Sequence, residues 1–168
     1  MADDLARLAE LAGRLLRAKG EQLVTAESCT GGGVAYAVTA VSGSSEWFER
    51  GLVTYSNEAK VELLGVPAET IATHGAVSEE TARAMALGAL AASRGTISVA
   101  ITGVAGPTGG TRAKPVGTVC LAWARSGEAM PRFETRHFAG DRESVRRQSV
   151  VRALEGIVAL LDDSNAQD

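Results

Sequence analysis

The stretch Thr25-Ala26-Glu27-Ser28-Cys29-Thr30-Gly31-Gly32-Gly33 sets one candidate nucleophile, Ser28, between an apolar run and three glycines. Leu23 and Val24 before it have the character of a buried strand, and residues 34–41 after it that of a helix. A strand, a tight turn and a helix start gather backbone N–H groups in one place, which suits either a phosphate or the oxyanion of an acyl transfer. A glycine turn that merely packs tightly and leaves Ser28 in solvent satisfies the same pattern. Serine is a weak nucleophile until a base lies within hydrogen-bond reach. His74 and His137 are the only histidines, and nothing near either marks a triad partner.

Lys60 and Tyr55 are the remaining bases near strand ends. Residues 48–56 are expected to form a strand with Tyr55 at its end. Asn57 as a helix cap then makes Lys60 the third helical residue. The helix dipole disfavours an ammonium there, and partial burial adds to the effect, so a lysine at this point can titrate low enough to accept a proton. A solvated surface lysine is the bland alternative. Tyr55 either relays the proton between Ser28 and Lys60 or holds Lys60 in place.

Thr102 ends a third apolar run and opens a second glycine-rich loop, Thr102-Gly103-Val104-Ala105-Gly106-Pro107-Thr108-Gly109-Gly110. Arg142 lies in the first turn of a helix capped by Asp141, with Arg146 one turn further on. Cations at a helix start oppose the dipole but suit an anion held jointly with backbone amides, two solvated arginines being the alternative. Cys29 is the poorer nucleophile candidate, because a strand that aims Ser28 into a site aims its neighbour away. Cys120 falls in an apolar strand as core.

The elements that must position these groups alternate along the chain. Leucines at 5, 8, 11 and 15 mark a first helix that ends at Gly20. Strands are expected at 22–28, 48–56 and 96–102, with a hairpin of 117–124 and 131–138 about Ser126-Gly127-Glu128. Helices are expected at 58–64, after Ser78 and after Asp141, with a short helical turn at 67–72. The expected fold is α/β, a single three-layer α/β/α domain over 1–168 with a mixed, mostly parallel sheet. Its ordered core runs from about 5 to 162, followed by a polar tail over 163–168.

With 168 residues and 45% hydrophobic content, one domain can bury a sizeable core. A net charge of −3 without a basic block gives no footprint for nucleic acid. The acidic Met-Ala-Asp-Asp start and the lack of an apolar run near 20 residues set the expectation of a cytoplasmic protein away from membranes. Two cysteines without metal-ligand spacing suggest neither a disulfide framework nor a metal site. Neither glycine loop has the dinucleotide fingerprint, which removes a Rossmann-type dehydrogenase. No cofactor is expected, and a nucleotide-binding regulatory module without chemistry stands as the reading from another class.

The set Thr-Ala-Glu-Ser-Cys-Thr-Gly-Gly at 25–32, Val-Thr-Tyr-Ser-Asn-Glu-Ala-Lys at 53–60, Gly-Ala-Val-Ser-Glu-Glu-Thr-Ala at 75–82 and Ile-Thr-Gly-Val-Ala-Gly-Pro-Thr-Gly-Gly at 101–110 closely resembles the nicotinamide-nucleotide amidase family, also called the CinA C-terminal domain family. Lys-Pro-Val-Gly-Thr-Val at 114–119 and Gly-Asp-Arg at 140–142 extend the resemblance, which runs in order from about residue 5 to 162. It implies hydrolysis of the carboxamide of nicotinamide mononucleotide to nicotinate mononucleotide and ammonia, in pyridine nucleotide recycling. The family's catalytic serine, tyrosine and lysine match Ser28, Tyr55 and Lys60. Its substrate-binding threonine and arginine match Thr102 and Arg142. Thr30, Gly31 and Gly32 are expected to face the substrate through the oxyanion turn, and Gly103 and Gly106 through the loop near the ribose or pyridine ring. The resemblance further implies the stand-alone form of a domain often joined to a molybdopterin-binding-like one, and a homo-oligomer, commonly a dimer.

Overall fold

The computed structural model describes residues 2–163, so the expected polar tail from residue 164 onward lies outside the described residues. In chain order it contains α1 (Ala2–Ala18), β1 (Leu23–Glu27), α2 (Gly33–Thr39), a 3-10 turn (Ser44–Glu46), β2 (Phe48–Val53), α3 (Asn57–Leu64), α4 (Ala68–His74), α5 (Glu79–Ala91), β3 (Ile97–Gly103), β4 (Thr118–Arg125), β5 (Arg132–His137) and α6 (Arg142–Asp163). The strands form one sheet in the order β2-β1-β3-β4-β5. Pairings β2-β1 and β1-β3 are parallel, and β3-β4 and β4-β5 antiparallel. The core is thus parallel and the far edge is the expected hairpin.

Alternation along the strands divides the molecule into its layers. Leu23, Ile97, Val99, Ile101, Leu121 and Trp123 face a core completed by α1, α2 and α6. Val24, Ala26, Ala100, Ala122 and Ala124 face a second core under α5. Small residues on that second face let α5 sit close, and Ser98 donates to the Ala86 carbonyl at 2.7 Å. Gly88 carries the same close packing to α3, since a Cβ there would run into the Leu64 carbonyl.

Two boundaries near the site differ from the sequence expectation. β2 ends at Val53 rather than 56, because Thr54 and Tyr55 turn their carbonyls inward. Ser56, not Asn57, caps α3 by accepting from the Ala59 amide at 3.0 Å. Serine and asparagine cap equally well, so sequence alone does not separate them. Lys60 is consequently the fourth residue of α3.

Candidate active site

Period-two alternation at the end of β1 sends consecutive side chains to opposite faces. Glu27 points toward α2, and Ser28 points toward α3. Ser28 lies just beyond the strand with its amide bound to the Ile101 carbonyl at 3.0 Å. The hydroxyl therefore sits at the carboxyl end of the parallel core, where open α/β sheets bind ligands.

Lys60 reaches it from the first turns of α3. Its side chain is only 1% exposed, and Nζ lies 3.0 Å from Ser28 Oγ. The same amine donates to the carbonyls of Thr54 at 3.0 Å and Tyr55 at 3.1 Å, with Ser56 O more distant at 3.4 Å. Among the described residues, no carboxylate pairs with it. Burial, which penalises the ammonium, moves its pKa below a lysine's ordinary value. A neutral Lys60 can give its two N–H bonds to Thr54 O and Tyr55 O and turn its lone pair to the Ser28 hydroxyl. Ser28 Oγ also lies 3.4 Å from the Tyr55 carbonyl.

Tyr55 meets the pair through its main chain rather than through its phenol. The side chain is 60% exposed and its hydroxyl accepts from Arg142 Nη2 at 3.1 Å, while its backbone carbonyl touches the Ser28–Lys60 pair. Side-chain identity could not reveal that the main chain makes the inner contact. Arg142 also donates through Nη1 to the Gly106 carbonyl at 2.8 Å, so its guanidinium joins the β2–α3 connection to the loop after β3. Arg146 is turned away from this cleft and donates to the carbonyls of Cys29 at 3.1 Å and Thr30 at 3.3 Å.

Ser28, Cys29, Tyr55, Lys60, Thr102 and Arg142 line one cleft of about 310 Å³, with Gly103, Gly106 and Thr108 from the second glycine loop. That volume lies at the lower end of the roughly 300–1,000 Å³ of small-molecule sites. Thr102 is buried, and its hydroxyl donates to the Ala76 carbonyl at 2.7 Å, which fixes the loop before α5 as one wall. Asn57, at the first position of α3, lines the cleft as well and was not among the expected site residues. A roomier groove between α1, α2 and α6 is mostly apolar and carries no serine–lysine pair.

Thr30, Gly31 and Gly32 do not line the cleft. The Thr30 hydroxyl donates to Glu27 Oε1 at 2.7 Å, and the Gly31 amide to the Ser28 carbonyl at 3.0 Å. Gly31 and Gly32 are needed for the turn itself, with φ of 57° and 98°. The helix start behind them is filled from within, because the Val34 and Ala35 amides bind the Glu27 carboxylate at 2.9 and 3.1 Å. Only the beginning of the turn, Ser28 and Cys29, faces the cleft. Burial pushes the Cys29 thiol up to about 12, which keeps it protonated and makes it a poor nucleophile. His74 and His137 line a separate pocket beside β4 and β5. Among the described residues, no group of three or more His, Cys, Asp or Glu side chains could hold a metal ion, and no helix is long and apolar enough to cross a membrane.

Fold and site define a three-layer α/β protein with a buried serine–lysine pair at the carboxyl end of its parallel strands. Residues 5–161 match the CinA C-terminal domain, and the chain belongs to that family. It is 54% identical over 153 residues to the nicotinamide-nucleotide amidohydrolase PncC of Escherichia coli K12, covering 90% of this chain and 92% of that one. The protein of the same name from Pseudomonas putida is 53% identical over 158 residues, covering 94% and 98%. The crystal structure of the competence/damage inducible protein CihA from Agrobacterium tumefaciens superposes with a TM-score of 0.90 at 44% identity, covering 94% of this chain and 95% of that one.

Proposed function

We propose that the protein hydrolyses the carboxamide of nicotinamide mononucleotide, giving nicotinate mononucleotide and ammonia, through an acyl-enzyme on Ser28. The observation that carries this reading is the 3.0 Å contact between Ser28 Oγ and the buried Nζ of Lys60. The name of relatives at 53–54% identity supports the substrate.

Neutral Lys60 takes the Ser28 proton as Oγ attacks the carboxamide carbon, and the tetrahedral intermediate carries the negative charge on oxygen. The Lys60 ammonium then protonates the departing nitrogen, ammonia leaves, and the acyl group remains as an ester of Ser28. Water attacks that ester with Lys60 again removing a proton. The proton returns to Ser28 Oγ, and the carboxylate product departs. Within the turn, the oxyanion is assigned to the amide of Cys29, which follows the nucleophile and lines the cleft, whereas Thr30 and Gly32 do not line it and the amides of Gly31, Gly33, Val34 and Ala35 are engaged elsewhere. Tyr55 serves through its carbonyl, which orients Lys60, and through its phenol, which orients Arg142. Arg142 takes the 5′-phosphate as a charge-assisted, two-pronged donor. Thr102 and the Gly103–Gly106 stretch form the wall toward the ribose and pyridine ring.

Ammonia release from nicotinamide mononucleotide in the presence of a chelator tests this reading. Stoichiometric release with nicotinate mononucleotide as co-product is expected. Binding without release would overturn it in favour of a nucleotide-binding regulatory module.

A further inference from the structure

Glu27 is a fully buried carboxylate that the proposed chemistry does not use. Among the described residues it has no cationic partner, and its contacts are the hydroxyls of Thr25 and Thr30 and the amides of Val34 and Ala35. Oε1 takes Thr30 Oγ1 at 2.7 Å and Val34 N at 2.9 Å, and Oε2 takes Ala35 N at 3.1 Å and Thr25 Oγ1 at 3.4 Å. A buried anion is tolerated only when its lone pairs are occupied and a dipole or charge offsets its desolvation. Here the start of α2 supplies the dipole.

The contacts span both ends of the turn that carries the nucleophile. Thr25 lies before Ser28 and Thr30 after it, while Val34 and Ala35 belong to the following helix. Glu27's own carbonyl accepts from the Thr54 amide at 2.8 Å, and the Thr54 carbonyl receives Lys60 Nζ at 3.0 Å. One residue is thereby connected to the nucleophile's turn by its side chain and to the base's carbonyl cradle by its main chain. Gly31 and Gly32 leave that turn little stiffness of its own.

We infer that Glu27 is a positioning residue: its carboxylate ties β1, the Ser28–Gly33 turn and the start of α2 together, and so holds Ser28 Oγ in register with Lys60 Nζ. The inference rests on the reading of Ser28 as nucleophile. Gln at this position keeps the volume but sets an NH2 against a backbone N–H, so one amide loses its acceptor and the turn shifts. A displacement of order 1 Å at a reacting group costs about 100-fold in rate.

The test combines a crystal structure of Glu27→Gln with the rate at which a fluorophosphonate labels Ser28. The expected results are a Ser28–Lys60 separation beyond hydrogen-bond distance and labelling slowed 10-fold to 100-fold. The pH midpoint of labelling, set by Lys60, stays in place, and KM for the nucleotide changes less than about threefold. Thr30→Val removes a single contact and should slow labelling by a smaller factor, which keeps the inference testable if Glu27→Gln does not fold. A purely structural role would lower the melting temperature and the yield of folded protein while leaving the folded fraction's labelling rate and KM intact. An unmoved Ser28 with an unchanged labelling rate in either folded variant overturns the inference. If Ser28→Ala alone still hydrolysed the amide, the nucleophile assignment would fail, while the measured Ser28–Lys60 separation would still decide what Glu27 does.

Discussion

Replacing Lys60 by Met removes the amine and keeps an unbranched side chain of similar length in a site that is 1% exposed. Among the described residues, Ser28 Oγ then retains only the Tyr55 carbonyl, at 3.4 Å, which accepts a hydrogen bond but does not act as a base. His74 and His137 line another pocket and cannot substitute. Removing a general base typically costs about 100-fold to 10,000-fold, and here the same amine protonates the departing ammonia. We expect kcat to fall by at least about 1,000-fold, equivalent to about 4 kcal/mol at 1.36 kcal/mol per decade. KM should stay within about threefold, because the phosphate contact proposed for Arg142 is untouched. The fold should survive: the Thr54 and Tyr55 carbonyls lose a donor, but a buried amine no longer has to be desolvated. Ammonia release measured beside a thermal melt separates the two effects. A folded variant with kcat within tenfold of the parent would refute the assignment of Lys60 as base.

Activity should rise with pH as Lys60 loses its proton. Because burial lowers its pKa, the midpoint in kcat/KM is expected below a lysine's ordinary range, and a midpoint at or above that range would contradict a desolvated base. Arg142→Ala should raise KM for nicotinamide mononucleotide by about 10-fold or more and leave the phosphate-free riboside nearly unaffected, as steady-state kinetics on both substrates will show. Tyr55→Phe removes the 3.1 Å partner of Arg142 but not the backbone carbonyl at Lys60. Its kcat should remain within about threefold while KM rises several-fold, whereas a fall like that of Lys60→Met would restore the phenol as a proton relay.

Much of this site was legible because strand ends and helix starts carry local signals. An apolar run stopping at Ser28, and a lysine where a helix dipole is positive, needed only chain order to suggest a pair. The three-layer architecture followed from alternating strand and helix patterns, with glycine at the hairpin. What could not be read depended on which atom of a residue faces inward. Tyr55 works at the pair through its carbonyl and at Arg142 through its phenol, and sequence lists only the phenol. The glycine turn was legible as a turn but not as one whose helix start is filled by Glu27. A polar residue at the last position of an otherwise buried strand, just before that turn, was the available signal. Arg146 shares a helix face with Arg142 on paper, yet the turn's own carbonyls draw it away from the cleft.

Cleavage of the amide through a covalent ester on Ser28 is the step on which the proposed function depends. Acid quenching during turnover of nicotinamide mononucleotide, followed by mass spectrometry of the intact protein and its peptides, tests it most directly. An adduct of the acyl nucleotide mapped to Ser28 is expected, absent from Ser28→Ala, which should release no ammonia above background while still binding the nucleotide. Turnover by Ser28→Ala at the parent rate, or an adduct mapped to another side chain, would contradict it.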